Sequence, residues 1–443
     1  MSVRKVSVLQ YTTLAGLMLV SSSSLAQNEI AGFPIVSAES VGMSAERLSN
    51  IDNVVSKYVD ADLVPGAVTL VAREGQVVQF KTYGHMDAEN SRPMREDAMF
   101  RIASLTKPIV SVALMKLWEQ GHFQLSDPVS KYIPSFSEQM VSTTSDASGN
   151  TGDLIPVHRP STIRDLFTHT AGLAGGFKGN TQFFRSTMAI RPEDTLESYI
   201  DRLAGLPLNY QPGEDWQYSS ATNVIGRLVE IFSGQKLNVF VRENILDPLD
   251  MHSTKFFIED DQDGRLMPHF RPGPIGNRIE ETDPGTSESI LISRNRNTVT
   301  GAGGYLSTVP DYLRFQMAML NGGELDGVRL LSPSTVRLMT RNHTGDLPLY
   351  LTDQVPGNPP AEQPGPGNGF GLGWAIIVDP GAAASPLSEG SFYWTGATHT
   401  IAWIDPEQEM IGILMTQLSP HGHIRLRQDF QVLVYQAITE LFE

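Results

Sequence analysis

The chain has 443 residues, 40% of them hydrophobic, enough to bury a substantial core and to form one large catalytic unit or two closely joined subdomains. Its 33 Lys and Arg stand against 49 Asp and Glu for a net charge of -16 with no basic run, which argues against non-specific binding to nucleic acid or to an anionic membrane surface. Cysteine is absent, which excludes a thiol nucleophile, thiolate-bound zinc and disulfides.

Residues 1–26 read as a signal peptide: Arg4 and Lys5 open it, Leu14 to Val20 form a short apolar stretch, and Ser24-Leu25-Ala26 precede a cut at Gln27. The expectation is an exported protein, periplasmic or secreted, with no stable membrane insertion after cleavage, because no segment reaches the roughly 20 apolar residues of a spanning helix. Ser44 to Tyr58 has helical periodicity through Leu48, Ile51, Val54, Val55 and Tyr58. Ala67 to Ala72 and Gln76 to Tyr83 read as strands joined through Arg73-Glu74-Gly75 into an antiparallel hairpin. Helical segments follow at Ile109 to Trp118, Ile163 to Thr168, Leu196 to Leu203, Ala221 to Phe232 and Tyr312 to Leu320. Phe370 to Val378, His399 to Ile404 and Met410 to Gln417 read as strands, and Arg425 to Phe442 as a closing helix. The polar or Pro/Gly-rich stretches Ser142 to Asp153 and Asp353 to Asn368 read as surface loops.

These elements predict an α/β (α+β) fold in which an antiparallel sheet is built from both chain ends and flanked by terminal helices. A catalytic domain would span 27–443, with a sheet subdomain over about 27–100 and 300–443, a mainly helical insertion over about 101–299, and the site at their junction.

The sharpest chemical signal is Ser104-Leu105-Thr106-Lys107. At a helix start, positions i and i+3 share a face, so the serine hydroxyl and the lysine amine come within reach of one another. Pro108 falls in the first turn, where a missing N–H is tolerated. An ordinary lysine, with a pKa of about 10.4, stays protonated at neutral pH, so this one must be at least partly buried to act as a base. Taken alone, a Ser at a helix start is a good N-cap. Tyr218-Ser219-Ser220, after the turn Pro212-Gly213-Glu214-Asp215, could likewise be a packed aromatic followed by a cap. Trp394-Thr395-Gly396-Ala397 ends a strand, and its glycine would let backbone approach a substrate closely.

In this order the three elements resemble the serine β-lactamase and penicillin-binding-protein superfamily, and more narrowly its esterases of family VIII. Phe100-Arg101-Ile102-Ala103-Ser104, Leu166 through Leu173, Gly303 through Thr308, Gly371-Leu372-Gly373-Trp374 and Trp403-Ile404-Asp405-Pro406 extend the resemblance over nearly the whole mature chain. It implies that Ser104 is the nucleophile, Lys107 its general base and Tyr218 a phenolic proton relay. The backbone N–H groups of Ser104 and Ala397 would form the oxyanion hole, with Ser220, Trp394, Thr395 and Gly396 lining the substrate. Trp394 stands where β-lactamases commonly place Lys or His, and Ser220 where the Tyr-x-Asn motif has its amide. Both departures favour uncharged carboxylic esters, leaving β-lactamase or D-alanyl-D-alanine carboxypeptidase activity, and an acylated sensor without turnover, as alternatives.

Other signals are weaker. His399 is read as structural or site-lining and His169 as a hydrogen-bonded fold element. His421-Gly422-His423 has no third clustered ligand, and Glu259 to Gly264 lacks the glutamate a calcium loop needs, so no metal or other cofactor is expected. No G-x-S-x-G occurs, which argues against an α/β-hydrolase nucleophile elbow. The expected partner is a small ester or amide substrate.

Overall fold

The structure is a computed structural model describing residues 29–442, apart from 88, 90, 144–151, 176–186, 259–263, 274–278, 287–288, 290–297 and 351–363. The signal-peptide reading therefore lies outside the described residues. So do the acidic stretch from Glu259, except Gly264, and most of the two expected surface loops.

Ser44 starts helix α1 (Ala45–Asp60), its hydroxyl accepting the Arg47 N–H at 3.2 Å, and the helix buries Leu48, Ile51 and Val55. Strands β1 (Gly66–Arg73) and β2 (Gln76–Gly84) follow. Their turn is two residues, Glu74 and Gly75, both at positive φ (54° and 71°), which matches the right-handed twist of the flanking strands. Arg73 was expected in this connection but ends β1 instead. Its fully buried guanidinium donates to the carbonyls of Val41 (3.1 Å), Gly42 (3.0 Å), Gln408 (3.2 Å) and Glu440 (2.7 Å), so that backbone acceptors from both chain ends hold the charge.

Helix α2 (Thr106–Glu119) is buried on nearly every side, as a helix that is apolar all round must be, and packs against α5 (Ala221–Ser233). Between them come α3 (Ile163–Phe167) and α4 (Leu196–Ala204), each opened by a threonine in a reciprocal capping box. Helix α6 (Val309–Leu320) lies on the sheet. The chain then supplies β3 (Asn368–Phe370), β4 (Ala375–Ile377), β5 (Phe392–Gly396), β6 (Thr400–Asp405), β7 (Met410–Met415) and α7 (Leu426–Tyr435), which packs on α1.

The strands form one antiparallel sheet in the order β3-β4-β5-β6-β7-β1-β2. β7 pairs with β1 from Met410 opposite Arg73 to Met415 opposite Val68, so the two chain ends close the sheet as expected. Two expected elements are corrected. Phe370 to Val378 is two strands, because Gly371-Leu372-Gly373-Trp374 reverses the chain: Gly371 N–H bonds the Trp374 carbonyl at 2.8 Å, and Gly373 takes φ 107° with no room for a Cβ beside Ser111 of α2. The closing helix stops at Tyr435 rather than Phe442, since the chain beyond it bonds back to the entry to α1, Ala437 O accepting from Ser44 N and Thr439 N donating to Gly42 O. Among the described residues no helix is long and apolar enough to cross a membrane.

Candidate active site

The segment entering the site is bonded on several sides. Phe100–Arg101 pairs with Leu306–Ser307, Ile102 N–H bonds the Tyr305 carbonyl at 3.0 Å, and Gln417 uses both ends of its amide on the backbone N–H and C=O of Arg101. The Arg101 guanidinium forms a buried ion pair with Asp283 (2.8 Å) and donates to Ser289 (2.7 Å) and the Met267 carbonyl (2.6 Å). Burial brings it down to about 10, opposed by Asp283. Ala103 then takes φ 45°, unusual for a residue with a Cβ, and the chain enters a 3-10 turn (Ala103–Leu105) that runs directly into α2. The Tyr312 hydroxyl caps this turn from α6, donating to the Leu105 carbonyl at 3.0 Å.

This geometry puts Ser104 and Lys107 on one face, with Lys107 Nζ 3.1 Å from Ser104 Oγ. Tyr218, three residues before the start of α5, donates its phenolic O–H to the same Oγ at 2.6 Å, and Nζ sits 4.5 Å from the centre of its ring. One serine oxygen is thus addressed by an amine and a phenol from residues far apart in sequence. Burial lowers Lys107 to about 7, so near neutrality much of it is the free amine. Burial pushes the Tyr218 phenol well above its ordinary 10, partly offset by the bond to Ser104, which keeps it a proton donor.

The lysine has a further partner that sequence reasoning missed. Its Nζ donates to the Ala302 carbonyl at 2.7 Å, and Ala302 N–H is held at 2.8 Å by Oδ1 of the buried Asn223 on α5. With one N–H committed to Ala302, the lone pair of the free amine can turn to the serine hydroxyl. A carbonyl has no sequence signature, and only the glycine run around Ala302 hinted at close backbone approach: a Cβ on Gly301 would overlap the Thr222 carbonyl. Ser220 is half-buried at the head of α5, beside the Tyr199 hydroxyl.

His169 takes φ 59°, and its carbonyl accepts from Tyr210 O–H and Gln217 N–H, both at 3.0 Å. Its ring packs 4.9 Å from that of Tyr218, and Ser219 N–H points at Nδ1 at 3.4 Å. Burial, then the nearby Lys107, hold it well below the ordinary histidine range, so it is neutral. Trp394 is buried, its ring 5.3 Å from both Tyr218 and Phe370, and Thr395 is half-buried.

β5 and β6 meet in the turn Ala397-Thr398-His399, which abuts the segment leading to Ser104. A Cβ on Gly396 would lie 2.5 Å from the Ile102 carbonyl, and the Thr398 hydroxyl donates to the Arg101 carbonyl at 2.6 Å. Ala397 is exposed at the tip, while His399 is fully buried at φ 65° with its ring 4.6 Å from that of His421.

The fold and the site define a serine hydrolase. Residues 51–436 match the family model described as Beta-lactamase, and the chain belongs to that family. It is 33% identical over 383 residues to Protein Rv1367c of Mycobacterium tuberculosis (strain ATCC 25618 / H37Rv), covering 83% of this chain and 89% of that one. It is 30% identical over 397 residues to Esterase EstB of Burkholderia gladioli, covering 86% and 92%. Among solved structures, EstCE1, described as a hydrolase with promiscuous acyltransferase activity, superposes with a TM-score of 0.71 at 24% identity, over 89% of this chain and 99% of that one.

Proposed function

We propose that the protein hydrolyses carboxylic esters through a covalent acyl-enzyme on Ser104. The observation that carries this reading is the convergence of Lys107 Nζ and the Tyr218 hydroxyl on Ser104 Oγ. In acylation, Oγ bonds to the ester carbonyl carbon as its proton passes to the free amine of Lys107. The negative oxygen of the tetrahedral intermediate is received by the N–H groups of Ser104 and Ala397. Collapse breaks the bond to the alkoxy group, which leaves with a proton from Tyr218, and Lys107 restores the phenol. Water then attacks the acyl carbon as its proton passes to the same pair, the bond to Ser104 Oγ breaks, and the pair returns that proton to Oγ, releasing the acid and free serine.

The ester preference rests on Trp394, an indole buried against Tyr218 where a cation would serve a carboxylate-bearing β-lactam or peptide, and on the similarity to a protein named an esterase. Ser220, Thr395 and Gly396 would line the acyl or alcohol side. Export follows from the signal pattern of residues 1–26. A short-chain p-nitrophenyl ester assayed with wild type and Ser104→Ala tests the reading: turnover should vanish in the variant. Faster hydrolysis of nitrocefin than of the ester would instead make it a β-lactamase, and an adduct on Ser104 persisting for hours would make it a sensor.

A further inference from the structure

We infer that Arg427, at the start of α7, is a positioning residue that sets how strongly the Ala397 N–H receives the oxyanion. The inference deepens the reading above and rests on its assignment of Ala397 to the oxyanion hole.

Arg427 is the second residue of α7 and is buried, at 3% exposure. Its Nη2 donates to the Gly396 carbonyl oxygen in a close contact. That oxygen and the Ala397 N–H belong to one planar peptide unit and point in opposite directions across it. A donor that fixes the oxygen therefore also fixes where the hydrogen aims. Because this donor is a guanidinium, which stays charged inside proteins, it also draws electron density toward the oxygen and makes the opposite N–H a stronger donor. The effect is larger in a buried setting than in water.

The rest of the turn leaves this peptide little freedom. Gly396 O also accepts the His399 N–H at 3.0 Å, so the carbonyl is fixed from two directions. There is no room for a Cβ on Gly396 beside the Ile102 carbonyl and the Thr400 hydroxyl, and Thr398 ties the tip to Arg101. The imidazole of His399 is compatible with a fixed positive charge there: burial, then Arg427, then His421 and His423, hold it well below the ordinary range and hence neutral. The buried ring of His399, whose two nitrogens have no hydrogen-bond partner among the described residues, fills the back of the turn without competing for the carbonyl. A cation reached from α7 thus acts on the site through the Gly396–Ala397 peptide, without touching substrate.

The test uses the full chain with Arg427→Met, Arg427→Gln and Arg427→Lys, scaled to folded protein by circular dichroism. Phenylboronic acid is the first probe. The Ser104 hydroxyl adds to boron as its proton passes to Lys107, giving a tetrahedral adduct whose B–O oxygen occupies the oxyanion site. Arg427→Met should weaken it roughly tenfold, less than the 100-fold or more that follows loss of a direct donor, with Gln intermediate and Lys nearest wild type. With an ester substrate, kcat should fall by a similar factor at nearly unchanged KM, and the acyl-enzyme carbonyl stretch should move to higher wavenumber in the same order. Equal boronate affinity and an unmoved carbonyl stretch in the variants that fold would overturn the inference, as would a loss explained wholly by unfolded protein. If wild type and variants follow the boronate series while no ester is turned over, the inference stands and the esterase reading fails.

Discussion

Replacing Asn223 by Ala removes the acceptor that holds Ala302 N–H at 2.8 Å, and with it the support of the carbonyl that takes the Lys107 N–H at 2.7 Å. Two effects follow. The Ala302 N–H loses a hydrogen bond, and because Ala302 is only half-buried and water can reach it in part, the cost falls near the low end of the usual range, about 1 kcal/mol. The lysine keeps its burial but loses its orientation. A positioned general base contributes about 10²–10⁴ in rate, so losing orientation alone should cost roughly tenfold to a hundredfold in kcat, or about 1.4–2.7 kcal/mol. The sign of the pH effect is also defined. A carbonyl dipole aimed at Nζ favours ammonium over amine, so displacing it should move the ascending limb of the pH–rate profile below its wild-type position while the plateau drops. Steady-state ester hydrolysis from pH 5 to 10, with Asn223→Asp as the variant that keeps an acceptor oxygen, measures both. An unchanged plateau and limb in a folded Asn223→Ala protein would refute the argument that Ala302 orients the base.

In the wild type, kcat/KM should rise through pH of about 7 as Lys107 loses its proton, with no fall attributable to Tyr218 until above pH 10. Since the folded lysine sits at about 7 and the unfolded one at about 10.4, the unfolded chain binds more protons between these values. The lysine therefore penalises folding fully below about pH 7, and less as the pH rises to 10.4. Lys107→Met should abolish turnover yet raise the melting temperature at pH 6, read by differential scanning calorimetry; a lower melting temperature would contradict the burial argument. Gly396→Ala forces a Cβ to within 2.5 Å of the Ile102 carbonyl, so the β5–β6 turn must move; if its Ala397 N–H receives the oxyanion as proposed, single-turnover acylation should slow by about 100-fold or more. Asp283→Ala strands the Arg101 cation in a site where the two side chains are only 8% and 7% exposed, and urea unfolding should report a loss of about 3–5 kcal/mol.

What could be read from the sequence was local. The spacing of Ser104 and Lys107 determined their shared face, because a helical turn brings i and i+3 together whatever surrounds it. The hairpin around Arg73-Glu74-Gly75 followed in the same way from β-rich runs on either side of a short glycine connection. Where local pattern misled, long-range packing was the reason. Leu372 and Trp374 give Phe370 to Val378 the look of one strand, yet Gly373 turns the chain against α2. The closing helix continues on paper to Phe442, yet bonds to Gly42 and Ser44 end it at Tyr435.

The tertiary structure alone decided everything that depends on distance through space. β7 lies beside β1, Tyr218 arrives at Ser104, and the walls around Lys107 that bring its amine to about 7 come from segments remote from it in the chain. Two of the groups these predictions turn on, the Ala302 carbonyl that accepts from Lys107 and the Gly396 carbonyl that accepts from Arg427, are backbone atoms. Every residue carries such a carbonyl, so residue identity cannot mark which ones matter. Only the positions of Asn223 and Arg427 in the folded chain single these two out.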